Sequence, residues 1–246
     1  MCGRYATTQT SATLHQAFEI DLANSFVELE ADYNMAPTKL APVVIGRRDD
    51  DAPPGAPQRE LLTARWGLVP SWAKDPSIGS RMINARVETA HEKPAFRKAW
   101  AQRRCLLPAD GYFEWYTGEA EPGQKATKQP FFLTPKDGGI LPMAGMYELW
   151  KSPEGEWIWT CTILTTDATD ELGHLHDRTP MTVTDQDAWL DPAVKDPREL
   201  LIPAMVGGLV AFPVSKAVGN VKNSGPELIK PLTNGEIATD ETSTLF

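Results

Sequence analysis

The stretch PAFRKAWAQRRCLLPADGYFEWY (residues 94–116) sets one helix against two strands. Phe96 and Trp100 stand four apart, one face of a helix, and Pro94 falls near the first helical position, where its missing N–H costs nothing. RRCLLP and GYFEWY then read as strands, short apolar and aromatic runs bounded by Pro, Asp and Gly. Similar runs recur along the chain: PVVIG, LLTARWGLV, QPFFLTP, ILPMAGMYELW, EWIWTCTILTT and GLVAFPV. A second short amphipathic helix is predicted in TSATLHQAFEI, with Leu14 and Phe18 four apart behind Thr10 as cap. Helices are too few to cross between parallel strands. The expected fold is therefore α+β, with a mostly antiparallel, barrel-like β core and a few flanking helices. RRDDDAPPGAPQRE is rich in Pro, Gly and Asp and follows an apolar strand. It reads as a loop of about residues 47–59 inside one domain spanning 1–246, with a flexible tail from about 234 to 246.

The 246 residues are 41% apolar, enough for a packed core. Three cysteines, Cys2, Cys105 and Cys161, are too few for a disulfide framework, and Cys105 and Cys161 sit in apolar runs as buried small hydrophobes. The pattern holds no HxxxH or CxxC arrangement, so no metal and no cofactor is expected. No charged and apolar leader opens the chain and no run approaches the roughly 20 apolar residues of a membrane span, which points to a cytoplasmic protein. A net charge of −9 taken alone argues against nucleic-acid binding. The charge is uneven, however: acid gathers in RRDDDAPPG, TTDATDE and ATDETSTLF, while FRKAWAQRR (Phe96 to Arg104) is basic and compatible with a local basic groove.

Five segments carry candidate chemistry. In MCGRY, trimming of Met1 would leave Cys2 with a free α-amine beside its thiol, and strand alternation would place Arg4 on the same side as Cys2. INARVETA would put Asn84, Arg86 and Glu88 on one strand face. In ADGYFEWY, Glu114 lies between Phe113 and Trp115, a desolvating setting that raises a carboxyl towards neutrality and suits it to move protons. HLHDRTP, after a polar TDATDEL read as helical, places a titrating His176 two residues from a permanently charged Arg178. In RWGLVPSWAKD one tryptophan, Trp66, is expected in the core and the other, Trp72 beside Lys74, exposed for base stacking. His15, His91 and His174 have no comparable setting and read as surface or structural residues.

Together these segments resemble the SOS response-associated peptidase family, the abasic-site processing proteins, over nearly the whole chain. The matching blocks are MCGRY, YNMAPT, RWGLVPSWAKD, INARVET, FRKAWAQRRCLLPADGYFEWY, KQPFFL, MAGMYELW, TILTT, HDRTP and PVSKAVGNVKNSGPELIKP, in the same order. The resemblance implies that Cys2, freed of Met1, reacts with the ring-opened aldehyde of an abasic sugar in single-stranded DNA to form a thiazolidine crosslink. It implies that Asn84 orients the sugar, Glu114 handles protons in Schiff-base formation, and His176 assists ring opening and crosslink reversal. Arg4, Arg86 and Arg178 would hold phosphates, with Asn34, Pro37 and Trp72 lining the DNA channel. The implied partner is single-stranded DNA containing abasic sites, bound by a monomer away from any membrane, with removal of Met1 as the peptidase activity. Two positions depart from the family: Thr179 replaces a methionine common in HDRTP, a change expected to alter packing only, and Ala73 follows Trp72 where some relatives carry a second aromatic. MCGR alone is ambiguous, because glutamine amidotransferases of the N-terminal nucleophile type also open with Met-Cys-Gly, and a non-covalent single-strand binder is the third alternative.

Overall fold

The computed structural model describes residues 2–20, 27–48, 57–118, 128–168, 175–204 and 208–233. In chain order the elements are β1 (Tyr5–Thr7), α1 (Ser11–Ala17), β2 (Asp32–Met35), β3 (Leu40–Arg47), β4 (Gln58–Trp66) and β5 (Asn84–Arg86). Then come α2 (Val87–Ala90), α3 (Arg97–Gln102), β6 (Arg104–Ala109), β7 (Gly111–Thr117), β8 (Lys128–Pro135) and β9 (Leu141–Lys151). β10 (Trp157–Asp167), β11 (Arg178–Val183), α4 (Gln186–Leu190), β12 (Leu201–Pro203) and β13 (Leu209–Pro213) complete the described part.

Strands β10, β4, β3, β6 and β9 are hydrogen-bonded in that order, and β9 pairs back onto β10, which closes a five-stranded barrel. All of its pairings are antiparallel except β10 with β4. Side-chain alternation fills the inside with Ala41, Val43 and Ile45, with Ala64 and Trp66, and with Cys105, Leu107, Met143, Cys161 and Ile163. The opposite faces of the same strands carry Val44, Leu61, Leu106, Met146 and Leu164, covered by α1, α3 and α4 through Leu14, Trp100 and Trp189. A second sheet, β13-β8-β7-β1-β2, lies beside the barrel and brings the amino terminus to it. The α+β fold with an antiparallel, barrel-like core is the one expected.

Four local expectations are corrected. Helix α3 starts at Arg97, not at Pro94, because residues 93–96 first close a turn on the Lys93 carbonyl, to which the amides of Phe96 and Arg97 both donate. INARVETA is strand only to Arg86; Glu88 belongs to the first turn of α2, off the face shared by Asn84 and Arg86. In TDATDEL, Thr166 and Asp167 extend β10, held by pairing with β11, rather than starting a helix; residues 169–174 lie outside the described residues. Cys2 to Arg4 precede the β1 ladder, so the two side chains part: Cys2 enters the core and Arg4 stays half-buried. Thr10 caps α1 as expected, accepting from the Thr13 amide at 3.1 Å. The predicted loop is bounded by β3 and β4, but its residues 49–56, like the tail from 234, lie outside the described residues.

Candidate active site at the amino terminus

Strand pairing delivers Cys2 to Glu114. Tyr5 of β1 lies opposite Tyr112 of β7, and the Phe113 amide donates to the Arg4 carbonyl at 2.9 Å, carrying the ladder one step towards Cys2. Alternation along β7 sends Phe113 and Trp115 into a cluster with Phe132, Val214 and Val218, and turns Tyr112 and Glu114 the other way. Tyr112 joins the core that holds Tyr5 and the fully buried Cys2. Glu114, 3% exposed, stands on that same side. Its burial pushes the carboxyl up to about 7, helped by the charge of Asp177. Burial, and then the Glu114 carboxylate, push the Cys2 thiol well above its ordinary range, so the resting thiol is protonated.

The barrel supplies the opposite wall. β4 and β5 pair in succession with one edge of β10, Cys161 opposite Trp66 and Ile163 opposite Asn84, so β5 prolongs the line of β4. From there Asn84 Nδ2 donates to the Cys2 carbonyl at 2.8 Å. Its Oδ1 is buried and has no hydrogen-bond partner among the described residues. Trp66 Nε1 donates to the Ile83 carbonyl at 2.8 Å and the Trp66 ring meets Tyr5 edge-on at 5.1 Å, which fixes β5 against the β1 end.

His176 precedes β11; its Nδ1 accepts from the Arg178 amide at 3.0 Å and lies 2.8 Å from Asp177 Oδ1. Burial lowers its pKa, against the raising effect of Asp177. Asp177 thus acts on both Glu114 and His176, joining Cys2, Glu114, Asp177 and His176 in one electrostatic neighbourhood.

The arginines diverge. Arg86 is exposed and, with Arg81, Asn84, Lys93, Thr165 and Arg178, lines a cavity of about 310 Å³. Arg178 is only 5% exposed, and its guanidinium is committed to protein: 3.0 and 3.1 Å to the two Glu88 carboxylate oxygens, 2.6 Å to Asp167 and 2.6 Å to the Thr165 carbonyl. Arg4 Nη1 donates to Asn34 Oδ1 at 2.7 Å and to the Val218 carbonyl at 2.9 Å, with its guanidinium 6.0 Å from the Trp115 ring centre. Asn34 is fully buried, its amide donating to the carbonyls of Val218, Asn220 and Asn223. Pro37 is half-buried in the turn whose next residue, Thr38, has φ of 75°. Trp66 is buried and Trp72 is 59% exposed. Thr179 does more than pack, since its Oγ1 lies 3.3 Å from the Tyr112 hydroxyl.

Sequence reading missed Arg81 and Lys93, the further cations of the Asn84 cavity. The available signal was position, one cation just before and one just after the INAR segment. A cavity of about 580 Å³ elsewhere is lined by Glu28, Glu30 and Asp32, the wrong sign for phosphate. Among the described residues no group of three or more His, Cys, Asp or Glu is placed to hold a metal ion, and no helix is long and apolar enough to cross a membrane.

The SOS response associated peptidase model matches residues 1–221. The chain belongs to that family. It is 38% identical over 235 residues to the abasic site processing protein YoqW of Bacillus subtilis, covering 94% of this chain and 99% of YoqW. It is 30% identical over 233 residues to the mouse abasic site processing protein HMCES, covering 81% of this chain and 64% of HMCES. Among solved structures, a protein of Bacteroides thetaiotaomicron superposes with a TM-score of 0.75 at 24% identity, covering 94% of this chain and all of that one. A Bordetella bronchiseptica protein superposes with a TM-score of 0.68 at 29% identity, over 87% of this chain and all of its own. The chain thus shares its fold with both solved structures.

Proposed function

We propose that this chain processes abasic sites in single-stranded DNA by trapping the ring-opened sugar on Cys2 as a thiazolidine. The observation that carries the reading is the convergence on Cys2 of a carboxyl titrating at about 7, Glu114, and of the Asn84 amide. The names of YoqW and HMCES give the lesion class.

In the unprocessed chain the Cys2 nitrogen is an amide, so hydrolytic removal of Met1 comes first and frees an amine with a pKa of about 7.7. His176, its Nδ1 accepting from the Arg178 amide, promotes opening of the sugar to its aldehyde. The Cys2 amine adds to the aldehyde carbon, and loss of water, its oxygen protonated by the neutral Glu114 carboxyl, gives the iminium. The thiol sulfur then bonds to the iminium carbon and gives its proton to the Glu114 carboxylate, closing the five-membered ring. Asn84 holds the Cys2 backbone in place and offers Oδ1 to the sugar. Arg86, with Arg81 and Lys93, takes flanking phosphates, and Trp72 and Pro37 edge the strand's path. Arg178, Arg4 and Asn34 act through position: the first fixes β11 and His176, the other two hold the 218–223 segment.

Purified protein incubated with an abasic single-stranded oligonucleotide is expected to give a heat-stable adduct on a denaturing gel, lost in Cys2→Ala while affinity for DNA persists. Release of ammonia from glutamine without any adduct would assign the chain to the amidotransferases instead. Equal binding of intact and abasic strands with no adduct would leave a non-covalent binder.

A further inference from the structure

Much of the basic segment Phe96 to Arg104 stands apart from the Cys2 site. Arg104 is structural: 2% exposed, it donates to the carbonyls of Trp189, Trp100 and Ala101, among others. Lys98 and Arg103 instead line a cavity of about 440 Å³ with Ser71, Leu149, Trp157 and Trp159. This cavity lies at the barrel mouth where β10 begins. Trp157 is 62% exposed there, with Lys151 Nζ 5.6 Å from its ring centre. Trp159 is anchored by stacking on Tyr147, centroids 5.3 Å apart. The carboxylate in the cavity, Glu148, is neutralised by Arg103 at 2.6 Å. Glu154 and Glu156 occupy the turn after β9, so the cationic side is the one made by α3.

The chain between β4 and β5 connects this mouth to the Asn84 end of the barrel. The 67–74 segment runs along β10: Gly67 donates to the Cys161 carbonyl at 2.8 Å, Leu68 to the Met82 carbonyl at 3.1 Å and Val69 to Thr160 Oγ1 at 3.0 Å. It then presents Ser71 to the cavity, exposes Trp72 and Lys74, and is tied by Trp150 Nε1 donating to the Ala73 carbonyl at 2.7 Å. From Ile163, which faces Asn84, back to Trp157 is roughly 20 Å at the strand rise of about 3.3 Å per residue.

We propose that the barrel mouth is a second DNA subsite, where Trp157 stacks a base of the strand flanking the lesion and Lys98 holds its phosphate. This rests on the reading of the chain as a single-strand binder at Cys2. Isolated indole faces set between cations match a base with its phosphate, whereas a protein partner calls for a contiguous apolar core. Roughly 20 Å corresponds to about six stacked nucleotides at roughly 3.4 Å each, fewer if the strand is extended.

The test is fluorescence anisotropy with undamaged oligothymidylates, a short one and versions lengthened by about six nucleotides on the 5′ or the 3′ side alone, beside crosslinking of a short abasic oligonucleotide. Wild type should gain affinity from lengthening on one side only. Trp157→Ala should lose about tenfold of that gain, the scale of one stacked base, and Trp157→Phe should keep most of it. Lys98→Ala should lower the single-strand salt slope by roughly 0.7 on the long oligonucleotide only. Short-oligonucleotide crosslinking should be unchanged in all three variants. No gain from lengthening in wild type, an unaltered gain in Trp157→Ala, or equal losses on short and long strands would each overturn the subsite. Failure of wild type to crosslink would sink the Cys2 chemistry while leaving the anisotropy comparison readable.

Discussion

The Asn84 side-chain amide donates to the Cys2 carbonyl at 2.8 Å, so one hydrogen bond ties the reactive end of the chain to the strand that extends the barrel wall. Among the described residues the ladder reaches no further than the Arg4 carbonyl, and a terminus held there alone would fray. Asn84→Ala should therefore slow adduct formation about five- to tenfold, the value of one positioned hydrogen bond of about 1 kcal/mol plus the lost contact to the sugar. Single-turnover crosslinking at saturating DNA measures it. An unchanged rate would show that the terminus is oriented by its burial alone.

Glu114 gives a stability signature that is independent of DNA. Its folded pKa of about 7 lies above the ordinary 4.5, so the folded state holds the proton more tightly than the unfolded chain. The resulting stability is complete below about pH 4.5 and is lost as pH rises through about 7, by roughly 3 kcal/mol for a shift of this size. Glu114→Gln should remove that pH dependence and be more stable than wild type at pH 8, measured by urea titration across pH 5–8. It should also slow crosslinking and leave only the inflection of the Cys2 amine, at about pH 7.7, in the rate profile. A parallel pH dependence in wild type and variant would mean that the carboxyl is not the titrating group.

Much of this was legible in the sequence, and the misses share a cause. Glu114 could be read because its neighbours Phe113 and Trp115 announce an apolar setting, and strand alternation then fixes its face. The barrel strands could be read because apolar runs survive burial on both faces. Arg178 and Asn34 could not. An arginine beside a histidine looks the same whether it meets phosphate or Glu88, which lies far away in sequence and reaches it only through the start of α2. Asn34 gives no local sign that its partners are carbonyls near residue 220. Long-range polar satisfaction is decided by the tertiary fold and not by spacing.

Arg4 and Asn34 should behave as one unit. Asn34→Ala removes one of the two acceptors of Arg4 Nη1 and strips the carbonyls of Asn220 and Asn223 of their shared donor. Buried groups left unpaired cost about 1–3 kcal/mol each, so a loss of about 3 kcal/mol and of roughly 6–12 °C in Tm is expected. Adding Arg4→Ala should cost much less in the Asn34→Ala background than alone, because the contact is already gone. Additive losses in a thermal double-mutant cycle would mean that Arg4 has an independent role, such as holding a phosphate.

Arg86 and Arg178 separate binding from folding at neighbouring positions of one cavity. Arg86 is exposed, so Arg86→Ala should leave Tm within about 2 °C, since surface changes fall within about 0.5 kcal/mol. It should weaken all single-stranded sequences alike and lower the slope of log affinity against log salt by roughly 0.7, the loss of one phosphate contact. Arg178 is buried against Glu88 and Asp167, and removing it leaves those carboxylates without their cation at the edge of the core. Arg178→Ala should cost about 3–5 kcal/mol where the pair is most enclosed, less to the extent that Asp167 reaches water, and should lower Tm by several degrees. Its salt slope should remain that of wild type. The reverse pattern, a stable Arg178→Ala protein with a reduced salt slope, would show that DNA draws the guanidinium out of its carboxylates, and Arg178 would then count among the phosphate ligands.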